Sequence, residues 1–215
     1  MTITEVYTAF VNGLVDKYGD AQITDFEFTE LFNTSALQEL IEDYKPTDNN
    51  TPLQTKGFEA SQQMLDKWFT LIKPISVSNP ATGQLLHTTI ETAVGGSVFH
   101  IDNIFRDGYY ARWVRHNDRG IALQNQFKKP TVAHPIWSGY SDYLLIQPVS
   151  GDITMTVTKY PRKVVFDDTD PNNNVNPDLT DIAINRILDR MSQRYGVTIR
   201  EQQLYEDSLQ VRSEQ

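Results

Sequence analysis

The sequence predicts an α+β protein in which a helical bundle, formed from both chain ends, carries an inserted and mainly antiparallel β domain. Apolar residues recur at strong helical spacing near the two ends, whereas residues 73–166 are rich in β-forming residues and turn signals. The predicted boundaries are 1–72 and 171–196 for the bundle, 73–170 for the β domain and 197–215 for an extended C-terminal arm.

Three helices are predicted in the N-terminal part, over residues 2–18, 24–45 and 54–72. The first two begin with a Thr followed three residues later by a Glu, which is the spacing of a capping box: Thr2 and Glu5, Thr24 and Glu27. Ser35 and Gln38 have the same kind of spacing, so we expect the second helix to be broken near Asn33. The third helix ends before Pro74.

A final helix over 176–196 has the clearest signals in the chain. Asn176 is the predicted N-cap, Pro177 suits the first helical position, and Gly196 suits the left-handed position after the last turn. Its apolar stripe is Leu179, Ala183, Ile184, Ile187, Leu188, Met191 and Tyr195. Such a stripe requires a partner, and the N-terminal helices are the expected one.

The central region is predicted to form short strands. Gln84–Ile90 and Phe99–Phe105 are a candidate pair, and Tyr109–Arg115 is rich in β-formers. Tyr143–Gln147 and Asp152–Thr158 are the clearest strands, and the loop Pro-Val-Ser-Gly between them predicts a hairpin. Residues 121–127 fit either a strand or a short helix, and residues 164–166 fit one more strand.

Composition excludes several classes of protein. The chain has 215 residues, no Cys and a formal net charge of −9, which excludes disulfides and thiolate metal sites and argues against a freestanding nucleic-acid binder. Residues 1–70 hold four basic and twelve acidic residues. No apolar run is long enough for a membrane span, and the N-terminus does not resemble a secretory signal, so the expected compartment is a reducing cytoplasm.

Motifs for catalysis or cofactor binding are absent from the sequence. The four His have no metal-ligand spacing, and neither a nucleophile elbow nor a phosphate-binding loop occurs. Asp168, Asp170, Asn172 and Asn174 alternate like calcium ligands, but Asn173 and Leu179 occupy the positions that require Gly and Glu. We therefore predict no catalytic residue, no cofactor and no metal.

Two segments are candidates for binding a partner. The first is a basic strip interleaved with aromatic residues: Arg106, Arg112, Arg115, Arg119, Lys128 and Lys129. Such a strip suits contact with nucleic acid or with the acidic helices of a neighbouring subunit, and the acidic N-terminal part favours the subunit. The second is the polar arm 197–215, either disordered or ordered on a partner through four apolar residues: Leu204, Tyr205, Leu209 and Val211.

Five segments of the chain form a recognisable set: Phe28–Asn33 with Ala36–Leu40, Gly57–Gln62, Gln126–Thr131 with His134–Trp137, Lys159–Lys163, and the helix 178–195. Together these segments resemble the ring, or head–tail adaptor, proteins of short-tailed bacteriophages, particularly the crAss-like phages.

The resemblance implies a virion protein assembled in the bacterial cytoplasm. It implies a homo-oligomeric ring, dodecameric in the family, that lies under the portal and surrounds the passing genome. The portal and other tail or ring proteins would be its partners, with non-specific contact to DNA and none to a membrane. The C-terminal arm would reach the portal or the next subunit.

The residues alone also leave two other classes open. One is a non-viral cytosolic scaffold or binding module. The other is a small hydrolase with a scattered pair of carboxylates, since the chain has 28 acidic residues. Mass and symmetry of the purified protein distinguish these classes from a ring.

Overall fold

The computed structural model describes residues 1–18, 23–44, 64–78, 80–125, 129–149 and 151–196. The fold is α+β, with a helix at each end and antiparallel sheet inserted between them. The chain divides into a helical unit, Met1–Thr70 with Pro161–Gln215, and a β unit, Leu71–Tyr160. Residues 161–170, which we predicted in the β domain, therefore belong to the helical unit, because their backbone is bound by a helix of that unit.

Among the described residues, the helical unit contains four α-helices and one short 3-10 helix, Pro171–Asn173. The α-helices are α1 (Ile3–Tyr18), α2 (Asp25–Tyr44), α3 (64–68) and α6 (181–196). Both predicted capping boxes are confirmed, since Thr2 N donates to Glu5 Oε2 at 2.7 Å and Thr24 N donates to Glu27 Oε2 at 3.0 Å. The second of these contacts lowers the pKa of Glu27.

Helix α2 is continuous, so the predicted break near Asn33 is wrong. The Asn33 side chain does not cap a helix end. Its Oδ1 accepts from Val164 N at 2.9 Å, and its Nδ2 donates to Val164 O at 3.1 Å. An Asn at this point of a helix is normally unfavourable, but here its amide replaces the partner strand that Val164 lacks.

The other predicted helix ends also differ in detail. Helix α6 is capped by Thr180, whose Oγ1 accepts from Ala183 N at 3.2 Å. Asn176, the predicted cap, instead accepts from Ile3 N at 2.9 Å and so binds the start of α1. Helix α3 ends at 68, and Ile72 begins a strand, because the chain turns through 69–71 into the β unit.

The core of the helical unit is formed by the apolar faces of α1, α2 and α6. Phe10 lies 5.8 Å from Phe28 and 6.1 Å from Tyr195, measured between ring centroids. Four residues of the predicted α6 stripe are fully buried: Ala183, Ile184, Ile187 and Met191. The apolar stripes at the two ends of the chain therefore do pack together.

Among its described residues, the β unit contains two four-stranded sheets and two helices. One sheet has the order β1-β8-β3-β4, from Ile72–Ser78, Asp152–Lys159, Val98–Arg106 and Tyr109–Tyr110. The other has the order β2-β7-β6-β5, from Gln84–Leu86, Tyr143–Gln147, Ile136–Gly139 and Arg112–Trp113. The helices are α4 (His87–Val94) and α5 (His116–Gln124). All pairs are antiparallel except β5 with β6.

Two predictions about strand pairing are wrong. Strands β7 and β8 do not form a hairpin, since they belong to different sheets, and β3 pairs with β8 and β4 and not with residues 84–90. The stretch 84–90 is a strand only to Leu86. The chain then forms α4, which buries Ile90 and ends at Gly95 in the left-handed conformation, with φ of 72°.

The first testable prediction concerns the buried face of α6. Replacing Ile187 with Asp places an unpaired charge among fully buried residues and should lower the free energy of unfolding by several kcal/mol. Ile182 lies on the same helix but is largely exposed, so Ile182→Asp is the matched control. Chemical denaturation measures both, and equal midpoints for the two variants would contradict the burial of this face.

The second prediction concerns Asn33. Asn33→Leu removes both hydrogen-bond partners of Val164, so the free energy of unfolding should fall by about 2–4 kcal/mol. Asn33→Asp retains an acceptor for Val164 N but has no donor for Val164 O, so its loss should be intermediate. Thr34→Leu, at the exposed neighbouring position, controls for helix propensity. A loss no larger than that of the control would show that these hydrogen bonds contribute no net stability.

Candidate functional site

The strand β5 places an arginine and a tryptophan side by side at the surface of the β unit. Arg112 and Trp113 are exposed, whereas Ala111 and Val114 on either side of them are buried. The backbone is fixed, since Arg112 N donates to Pro135 O and Val114 N donates to Trp137 O, both at 2.9 Å. These two anchors hold the Arg112 and Trp113 side chains on a rigid support.

Strand β5 and helix α5 enclose an open cleft of about 420 Å³. We call it the arginine cleft, and its lining includes Arg112, Trp113, Val114, Arg115, Asp118 and Ile121. Two large apolar side chains project at its rim, since Trp113 is 53% exposed and Ile121 is 63% exposed. The sequence indicated the basic and aromatic residues but not Ile121, whose exposure depends on how α5 packs.

Helix α5 is held on its other side by a cluster of aromatic rings. Tyr140 stacks on Tyr143 at 4.6 Å and meets the His116 ring edge-on at 4.8 Å. Arg119 Nη1 donates to the Tyr140 hydroxyl at 3.4 Å, and His87 Nε2 lies 3.1 Å from Tyr140 O. Arg119 therefore positions α5 within the β unit, a role that no pattern in the sequence predicted.

The charge at the arginine cleft is positive. Arg112 and Arg115 are exposed, and Asp118 is the acidic residue of the lining. Arginine and aromatic residues are both enriched at protein interfaces. The arrangement suits an acidic partner that offers an apolar group to Trp113 and Ile121.

The structure corrects the prediction that Arg106 belongs to the basic strip. It is buried in strand β3, and its Nη1 lies 3.6 Å from Asp107 Oδ2. The reason is strand alternation, since Ile104 and Arg106 lie on the same side of β3 and both are buried. Lys129 is exposed. Lys128 lies outside the described residues, and so do Leu204, Tyr205, Leu209 and Val211 of the predicted arm.

The Asp and Asn residues that alternate like calcium ligands over 168–174 lie in a loop whose side chains bind backbone groups of the same loop. Asp167 Oδ1 accepts from Thr169 N and Asp170 N, and its Oδ2 accepts from the Asn173 side chain. These hydrogen bonds, the one from Asn173 foremost, hold the pKa of Asp167 far below its usual range. Among the described residues no group of three His, Cys, Asp or Glu side chains is arranged to hold a metal ion.

A network of charged groups around the buried Lys67 joins α2, α3 and α6. Lys67 Nζ donates to Glu39 Oε1 at 2.5 Å and to Asp43 Oδ2 at 2.9 Å, and Trp68 Nε1 also donates to Asp43. Arg190 binds both Glu39 and Glu42, and the hydrogen bonds to Glu42 raise the pKa of Arg190. Every member is paired with an opposite charge or a donor, so the network is a structural junction.

Neither protein-family models nor curated proteins give a match to this chain. Among the described helices, none combines the length and the apolar composition required to span a bilayer.

The third prediction concerns Lys67. Lys67→Met removes the buried cation that Asp43 and Glu39 share, although Glu39 keeps Arg190, so the free energy of unfolding should fall by about 1–3 kcal/mol. Arg186→Met removes an exposed cation from α6 in the same unit and is the control. Thermal and chemical denaturation measure the difference. A Lys67→Met protein as stable as the control would mean that the network is not needed for the fold.

Proposed function

We propose that this protein is a structural virion protein, a ring-forming adaptor in the head–tail connector of a tailed phage that joins the portal to the tail. The observation that carries the proposal is the arginine cleft, an exposed surface of interface composition on a rigidly held strand and helix. Its residues are suited to binding a macromolecule and lack a paired nucleophile and base.

The resemblance to phage adaptors supports the more specific part of the proposal. Of the segment Phe28–Asn33, Phe28 and Phe32 pack in the helical core and Asn33 binds Val164. The segment 178–195 contains most of α6, which packs on α1 and α2. The resemblance therefore involves residues that determine the architecture. Related adaptors would retain such residues even where their surfaces differ.

An adaptor of this kind acts by binding and by position, without a chemical step. The helical unit supplies a stable body, and the β unit displays the arginine cleft to the next subunit. The arm 197–215, with Tyr205 as its strongest anchor, would bind the portal or an adjacent subunit. Passing DNA would be tolerated in the lumen, because a net charge of −9 opposes tight binding to phosphates.

The fourth prediction tests assembly. Arg112→Glu with Arg115→Glu reverses two exposed charges of the cleft and should convert the assembled protein into smaller species, because like charges would face the acidic partner. Arg119 is left unchanged, since it also binds Tyr140. Lys73→Glu with Arg186→Glu alters exposed residues elsewhere by the same total charge and is the control. Sedimentation and images of the parent and the two variants give the result.

Three outcomes separate the proposal from its competitors. A parent that forms rings, with assembly lost in the cleft variant and kept in the control, supports the adaptor. A parent that stays a monomer or small oligomer in solution and on purified particles contradicts it and favours a scaffold or a hydrolase. A salt-dependent affinity for DNA that only the cleft variant loses would mean that the cleft binds nucleic acid.

A further inference from the structure

Helix α2 also directs apolar side chains to solvent, with polar residues between them. Its core face buries Phe28, Phe32 and Leu40. The opposite face exposes Phe26, Glu30, Thr34, Leu37 and Ile41, which recur every three or four residues. We call this face the α2 stripe. Phe26 is 74% exposed, so most of its ring is open to solvent and little of it packs within the unit.

The α2 stripe lies in a region of negative charge. Helix α2 contains six carboxylates and no basic residue. Glu39, Glu42 and Asp43, in its C-terminal half, are paired with Lys67 and Arg190. In the N-terminal half the carboxylates have neutral partners, since Asp25 accepts from Asp168 N and Glu27 from Thr24. No ion pair joins Asp25 or Glu27 to a cation among the described residues, so negative charge lies beside Phe26 and Glu30.

The arginine cleft is complementary to this stripe in both charge and apolar character. Arg112 and Arg115 match the carboxylates in the N-terminal half of α2, and Trp113 and Ile121 offer apolar surface to the stripe. A bare duplex of nucleic acid would satisfy the two arginines, but it would leave the α2 stripe without a role and be repelled by its carboxylates. A second copy of the chain satisfies both surfaces.

We propose that the arginine cleft of one copy docks on the α2 stripe of a second copy. The inference rests on the proposed function and names the partner surface for the same cleft. Because the two surfaces are different, the contact is heterologous, and an open chain of copies keeps a free cleft at one end and a free stripe at the other until a ring closes. Phe26, seated against Trp113 and Ile121, would be the main apolar contact.

The experiment uses two full-length variants and their mixture. Variant one is Arg112→Glu with Arg115→Glu, which changes only the cleft. Variant two is Phe26→Arg with Glu30→Arg, which changes only the stripe. Each alone should sediment as unassembled chain at concentrations where the parent assembles. The equimolar mixture should recover association, because it restores complementary charge between a cleft and a stripe on different chains.

Controls establish that loss of assembly is not loss of fold. Asp189→Arg reverses an exposed acidic residue on α6 and should assemble like the parent. Circular-dichroism melting of variant two should match that control, since both of its altered positions are exposed. If variant two melts at a lower temperature than the control, the single variant Glu30→Arg replaces it. This single variant should need an at least tenfold higher protein concentration to assemble.

The outcomes separate this inference from the proposed function. If variant one fails to assemble while variant two behaves like the parent, the cleft is an interface but the α2 stripe is not its partner, and the inference is overturned alone. A mixture that stays unassembled when both variants are folded also overturns it. If variant one assembles normally, the cleft is not an interface and both proposals fall.

Discussion

The structure depends on a set of hydrogen bonds that fasten an extended segment to the side of helix α2. Asp25, Thr29 and Asn33 accept from the backbone N–H groups of residues 168, 166 and 164, at 2.8, 3.2 and 2.9 Å. Four residues of a helix advance about 6 Å, and two residues of a strand advance about 6.6 Å. The two periods nearly coincide, so an antiparallel strand can follow one face of the helix with side chains as its pairing partners.

This fastening determines where the chain re-enters the helical unit after the β unit. Val164 and Phe166 are buried on the same segment, and Phe166 stacks on Tyr7 at 4.2 Å while meeting Phe28 edge-on. The loop beyond is closed by Asp167 and Asp170, and Thr180 then begins α6 and donates to Lys67 O at 2.6 Å. The return path, the core aromatics and the charged junction therefore reinforce one another.

The sequence correctly predicted features that depend on residues close together along the chain. The capping boxes and the apolar stripe of α6 depend on residues within one or two turns, and these predictions are confirmed. The break at Asn33 and the cap at Asn176 failed for one reason. Each Asn amide satisfies backbone groups more than 130 positions away, and a single sequence does not reveal such partners.

The same limit applies to the β unit and to the candidate site. A turn-rich loop predicted that β7 and β8 form a hairpin, but strand pairing is non-local and placed them in two sheets. The basic strip was visible as composition, yet Arg106 is buried, and Arg119 binds Tyr140. The exposure of Phe26, Leu37 and Ile41 on α2 was not predicted, because it depends on which face of the helix packs in the core.

Hydrogen exchange at single backbone amides is the most direct test of the claim that side chains of α2 hold the return segment. The account predicts that the amides of Val164 and Phe166 exchange as slowly as the core amides of α2, with protection near the free energy of global unfolding. In Asn33→Leu, the amide of Val164 should lose that protection first. Fast exchange of Val164 and Phe166 in the parent protein would contradict the account.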